Sequence, residues 1–141
     1  MFVARGDVFT APIEHGLTRN LTQSSGAHDR GAAWSPDGKQ IAFISDRSGE
    51  DEIYLVEQDG RGEQGEQDKP RKLTEGLKSM LFNLRWSPDG RRLAFSDKYG
   101  KLHVLTVVNK RILEAADERH GLLHDFAWSP CGQHLAIVLS E

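Results

Sequence analysis

Cysteine occurs once, at Cys131, which excludes an internal disulfide framework and any zinc site assembled from cysteines. Long apolar runs are missing as well: stretches such as Leu135–Leu139 fall far short of the ~20 residues that cross a bilayer as a helix. After Met1 the chain runs straight into FVARGD, without a basic segment followed by an apolar one, so no membrane or secretion segment is expected. Neither charge dominates: 18 basic residues face 21 acidic ones, net −3, with no long block of one sign, which argues against a nucleic-acid partner. HExxH and Gly-x-Ser-x-Gly are absent, and with them the plainest signatures of a zinc protease and of a serine-hydrolase elbow. A single thiol favours a reducing cytoplasm.

What the sequence does contain is a repeat. Trp-Ser-Pro stands at 34–36, 86–88 and 128–130, at intervals of 52 and 42 residues, close to the ~40–50 of propeller blades. Seven residues after each tryptophan comes an aliphatic–Ala–apolar triplet: Ile41-Ala42-Phe43, Leu93-Ala94-Phe95 and Leu135-Ala136-Ile137. Arg-x-Leu-Thr occupies 19–22 and 71–74 and weakens to Arg111-Ile112-Leu113-Glu114 in the third copy. Short apolar runs follow glycine and a charged residue at Asp7-Val8-Phe9, Glu52–Val56 and Lys101–Leu105.

Each unit thus offers four short strands: A ends at the tryptophan, B is the triplet, C is the Ile-Tyr type run and D is Arg-x-Leu-Thr. Ser-Pro-Asp-Gly suits a tight A–B hairpin, because proline presets φ, aspartate bonds nearby amides and glycine accepts positive φ. Ser45–Gly49 and Ser96–Gly100 supply glycine-ended turns from B to C, and no strong helical pattern intrudes. The difference between the two intervals lies in the C–D connection, where Asp59–Pro70 has no apolar residue except proline and is expected to be an exposed, mobile loop.

The expected fold is therefore all-β, with propeller blades of four antiparallel strands. A single propeller segment covers 1–141: a partial blade of C–D strands over 1–22, blades over 32–74 and 84–114, and a partial A–B blade over 126–139. A fragment of a B strand at Met1–Ala4 precedes them. About three blades are fewer than the four to eight that close a propeller. Either the chain is a piece of a larger protein, or copies assemble and complete each other's blades, a closed dimer being the preferred homo-oligomer.

Candidate chemistry is sparse. Trp34, Trp86 and Trp128 recur at one register, which is what packing between neighbouring sheets requires, so they are expected to be core. Asp37 and Asp89 belong to separate turns, and Cys131 takes the third such position, so a turn role outweighs paired-carboxylate catalysis. Glu50-Asp51-Glu52, with Asp46 nearby, lacks the ligand spacing of an EF-hand and is expected to be a solvated strand edge. His28, Asp29, His120 and His124 form no recognised triad or metal motif. The D–A loop carrying His28, Asp29 and Arg30 is the candidate contact site for a peptide or partner. No catalytic residue, metal site or cofactor is expected.

WSPDGKQIAFISDRSGEDEIYLVEQDG followed by RKLT resembles the repeat shared by TolB-type propellers and the propellers of tricorn protease. The segment Ala4–Asp46, with RWSPDGRRLAFSDKYGKLHVLTV after it, is similar to part of the seven-bladed propeller of tricorn-like proteases of bacteria and archaea. The resemblance covers nearly the whole chain. It implies a non-catalytic element of a serine peptidase that channels peptides or scaffolds assembly, hydrolysis being done by a downstream protease domain accompanied by a PDZ domain. The implied partners are peptides or the remainder of such a protease. A free-standing TolB-like propeller that binds a protein through its rim loops is the alternative.

Overall fold

The computed structural model describes residues 1–14, 18–23, 26–59, 69–117 and 122–140, and the regular structure among them is all β. Residues 60–68 of the polar C–D connection and His120 lie outside the described residues. The chain divides into two compact units, Met1–Lys78 and Ser79–Glu141.

The first unit holds a three-stranded sheet, β1 (Phe2–Ala4), β2 (Asp7–Thr10) and β3 (Arg19–Asn20). Beside it is a four-stranded sheet, β4 (Asp29–Trp34), β5 (Gln40–Ser45), β6 (Glu52–Glu57) and β7 (Arg71–Lys72), ordered as in the chain. The second unit holds β8 (Leu81–Trp86), β9 (Arg92–Asp97), β10 (Leu102–Thr106) and β11 (Arg111–Ala116) in one sheet, and the hairpin β12 (Leu122–Trp128) and β13 (Leu135–Ser140). Every pairing is antiparallel, and the four-stranded sheets are of the kind that form propeller blades.

Short-range chemistry explains each junction. In the first turn Ser35 N–H donates to Gln40 O at 2.8 Å, Ser35 Oγ donates to Asp37 Oδ1 at 2.6 Å, and the same carboxylate oxygen accepts Lys39 N–H at 3.0 Å. Ser87 and Asp89 repeat these bonds, with Arg91 N–H as the second donor at 3.0 Å. Strand A carries a bulge three residues before its tryptophan, where Gly31 and Asn83 have φ of 62° and 56°, a left-handed conformation those two residue types tolerate best.

Strands C and D are locked by a side chain. Thr22 Oγ1 accepts Val8 N–H at 3.0 Å and donates to Asp7 Oδ1 at 3.3 Å; Thr74 Oγ1 accepts Ile53 N–H at 2.9 Å and donates to Glu52. Glu52 also accepts Gly76 N–H at 2.6 Å. In the third copy Lys101 stands in the acidic position and Glu114 in the threonine position, and the two pair at 3.1 Å. The weakened Arg-x-Leu-Thr motif is thus a lock with different chemistry.

This corrects the expected role of Asp51 and Glu52, whereas Glu50 and Asp46 are exposed as expected. Glu52 is buried and Asp51 is largely so, because β6 runs between β5 and β7 rather than along an edge, and Thr74 and Arg30 satisfy the two carboxylates.

Each unit has its own core. In the first, Val8 and Leu21 meet Ile41, Phe43, Tyr54 and Val56; in the second, Ala94, Leu102 and Phe126 are surrounded by Leu123, Trp128, Leu135 and Ile137. Burying each large side chain contributes roughly 1.5–3 kcal/mol. Trp128 fits its expected core role, and its Nε1–H donates to Arg85 O on β8 at 3.2 Å. Trp34 departs from it, being 39% exposed. Strand β4 packs against β1 and β2, and that sheet has, among its described residues, no A-type strand to close over the indole.

Candidate functional site

The turn Arg5-Gly6 between β1 and β2 has φ of 53° and 79°, the signs of a type I′ hairpin, and it fixes the loop that leads into β4. Gly6 O accepts Asp29 N–H at 2.9 Å, and a Cβ on Gly6 would come within 2.9 Å of Ala27 O, so only glycine permits this approach. From the other side Asp46 Oδ1 accepts His28 N–H at 2.7 Å. The loops 26–30 and 46–51 are thereby held together as one rim.

Within that rim the three candidate residues differ. Asp29 is fully buried, and both its oxygens accept from Arg47 Nη2 at 3.0 Å. Arg47 in turn lies over the rings of Phe43 and Tyr54, at 5.2 and 4.9 Å, with its Nε donating to Ser45 Oγ. A guanidinium stacked on aromatic faces and doubly bonded to a carboxylate is a rigid internal device. Arg30 pairs with Asp51, with one contact at 3.1 Å, and that hydrogen bond raises its pKa against the opposing effect of burial. The imidazole of His28 is the exposed member of the trio.

Chemically, then, Asp29 and Arg30 shape the rim and His28 is presented by it. Arg47, Tyr54 and Asp51 belong to the same constellation. Their types gave no signal in the sequence, because the pairs span 18 and 21 residues and depend on the bulge in β4.

The third turn supplies a different group. Cys131 stands where Asp37 and Asp89 stand, with Sγ 3.2 Å from Ser129 Oγ. The Ser129 hydroxyl, the backbone at Gln133 and the His134 side chain lower the thiol pKa to about 7, just as Ser35 and Ser87 lower those of Asp37 and Asp89. The thiol is exposed at a hairpin tip. His124, on β12, is exposed and lies 2.8 Å from Ser140 Oγ. Among the described residues no three His, Cys, Asp or Glu side chains are grouped to hold a metal ion, and no helix is long and apolar enough to cross a membrane.

Comparison with known proteins agrees with this architecture. Residues 1–140 match the family described as the tricorn protease second beta propeller domain. The uncharacterized peptidase YuxL of Bacillus subtilis (strain 168) is 36% identical over 69 residues, 48% of this chain and 9% of that protein. Among solved structures, a putative TolB from Agrobacterium tumefaciens has a TM-score of 0.67 at 19% identity, covering 95% of this chain and 51% of that one. TolB from Acinetobacter baumannii has a TM-score of 0.64 at 20% identity, covering 90% and 30%. At these identities the structural likenesses show the fold alone, and the chain spans about half or less of each of these proteins. The match along 1–140 and the four-stranded antiparallel sheets together make this chain a member of the tricorn protease second β-propeller family.

Proposed function

We propose that this chain is a non-catalytic propeller segment of a tricorn-like serine peptidase, guiding peptides toward a protease domain or scaffolding its assembly in the cytoplasm. The supporting observation is family membership along residues 1–140 in a chain whose candidate loop is built of ion pairs rather than a nucleophile and its base. Peptides or the rest of the peptidase are its partners, and copies that complete one another's blades are the homo-oligomeric form. A panel of fluorogenic peptides tests the reading: the purified chain should turn none over, and turnover that survives rigorous purification overturns it.

The exposed His28 is the residue offered to a peptide. His28→Ala should weaken peptide capture several-fold without moving the melting temperature, since the contacts fixing this loop use the His28 backbone. Unchanged capture removes the loop from the recognition surface. The likeness to TolB favours a second reading, a free-standing propeller that binds a folded protein through its rims. Capture of a folded partner by loops 26–30 and 46–51, with no measurable affinity for short peptides, would favour that reading.

A further inference from the structure

The second unit also ties its D–A segment to its B–C turn, and the chemistry it presents there departs from that of the first. Lys98 N–H donates to Met80 O at 3.0 Å, joining the residues before β8 to the turn after β9. Counted back from the tryptophans, Phe82 stands where Arg30 stands and Met80 where His28 stands. Counted back from the lock residues Glu52 and Lys101, Gly100 takes the place of Asp51. Both halves of the Arg30–Asp51 ion pair are therefore replaced, the cation by an aromatic ring and the anion by glycine.

What replaces them faces solvent. Met80 is 54% exposed, Phe82 39% and Tyr99 54%. Leu81 between the first two is buried, so by strand alternation Met80 and Phe82 share the outward side. The neighbouring hairpin leaves this patch open although it stands beside it: a Cβ on Gly100 would lie 3.9 Å from Leu123 N of β12. The free charge at the patch is positive. Lys98 is exposed, with Nζ 4.9 Å from the centre of the Tyr99 ring. The nearby carboxylates are occupied, Asp97 being buried against the amides of Tyr99 and Lys101 and beside His103, and Glu114 being paired with Lys101.

We propose that Met80, Phe82, Tyr99 and Lys98 are the selective element of the peptide-guiding surface, taking a segment in which an aromatic side chain stands beside an acidic one. The inference rests on the peptide reading above and names the class of peptide. An incoming ring covers the Met80 thioether and the Phe82 ring, two groups that favour aromatic contact beyond the area they bury. The adjacent carboxylate meets Lys98, whereas a basic residue there meets like charge, and that difference selects the occupant. Three exposed side chains fall far short of the ~800 Å² per partner of a stable interface between folded proteins, and suit one side chain of a flexible segment.

The probe is a short glycine-serine peptide with Phe-Glu at its centre, amidated and carrying fluorescein at its N-terminus, titrated with the whole chain in a polarisation assay. Saturable binding is expected, weakened about tenfold when Phe-Glu becomes Ala-Glu and about fivefold when it becomes Phe-Lys. Met80→Ser combined with Phe82→Ser should bring the Phe-Glu peptide to the Ala-Glu affinity. Lys98→Glu should make Phe-Lys the better ligand, a reversal that loss of folding cannot produce. Equal affinity for the three peptides, or a preference that neither variant moves, overturns this selectivity and leaves the peptide reading standing. Saturation by none of the three removes both.

Discussion

The sheets β4–β7 and β8–β11 share strand order, turn bonds and a bulge, yet they fasten the B–C end differently. In the first, the loop 46–51 is long enough for Arg47 to fold back over Phe43 and Tyr54 and reach the buried Asp29. In the second, the loop 98–101 is shorter. There Asp97 accepts Tyr99 N–H and Lys101 N–H at 2.9 and 3.1 Å, and its other oxygen lies 3.0 Å from His103 Nε2. His103 takes the register position of Tyr54, stacked on Phe95 as Tyr54 is on Phe43. The first fastening links strand A to the loop after strand B through a buried ion pair; the second joins the end of strand B to its own turn and the strand after it. Equivalent backbones thus leave the placement of charge free, and the loop length decides which solution is reached.

The largest effect should come from breaking the first fastening. Arg47→Met leaves Asp29 buried without its main cation, a change that costs about 3–5 kcal/mol. His103→Phe keeps the stack on Phe95 and leaves Asp97 its two amide donors, so it should cost under about 1.5 kcal/mol. Hydrogen exchange resolved by segment is the suitable measurement, because the two units need not unfold together. Loss of protection across β4–β6 in the first variant and near-native protection in β8–β10 in the second is the expected pattern. Equal losses would mean that the two ends are energetically alike.

Much of this architecture was legible in the sequence and some was not, for physical reasons. Strands and turns declare themselves locally: Pro-Asp-Gly can do little but turn, and Ile41-Ala42-Phe43 is continuously apolar because Ile41–Ser45 is buried on both faces. The roles of Asp29 and Arg30 were not legible, since nothing near them in sequence names Arg47 or Asp51 as partner. Glu52 misled because three adjacent carboxylates look solvated, and only the pairing of Thr74 across strands C and D shows that one of them is buried and bonded. A cleft of about 740 Å³ in the second unit had no local signal either, being formed by residues from five strands and a turn.

A smaller effect is expected from the C–D lock. Thr74→Val removes the acceptor of Ile53 N–H and strips buried Glu52 of a donor, for a loss of about 1–3 kcal/mol. Glu114→Thr in the other sheet breaks an ion pair whose side chains are more than a third exposed, and its loss should be smaller. Combining Glu114→Thr with Lys101→Glu rebuilds the first sheet's chemistry in the second. Urea midpoints should fall for Thr74→Val and for Glu114→Thr alone and recover in the double variant. A double variant no better than Glu114→Thr would show that the two locks are not interchangeable.

The smallest effect, and the finest test of how far the copies are equivalent, lies in the turns. Asp37 and Asp89 have carboxyl pKa values held below the ordinary range by Ser35 and Ser87, so their contribution is complete above that range and lost only as acid protonates the lowered groups. Cys131 obeys the same rule at a different pH. Its thiol, lowered to about 7, stabilises the turn fully above the ordinary thiol pKa and loses that contribution as pH falls through about 7. Alkylation by iodoacetamide should therefore show a midpoint near 7, and Ser129→Ala should move it up by removing the leading hydrogen bond. Cys131→Asp should extend full protection of the His134 amide, which donates to Ser129 Oγ at 3.0 Å, down to mildly acidic pH. A thiol that alkylates with an ordinary midpoint, together with a His134 amide indifferent to the aspartate, would show that the third turn keeps the backbone of the other two without their electrostatics.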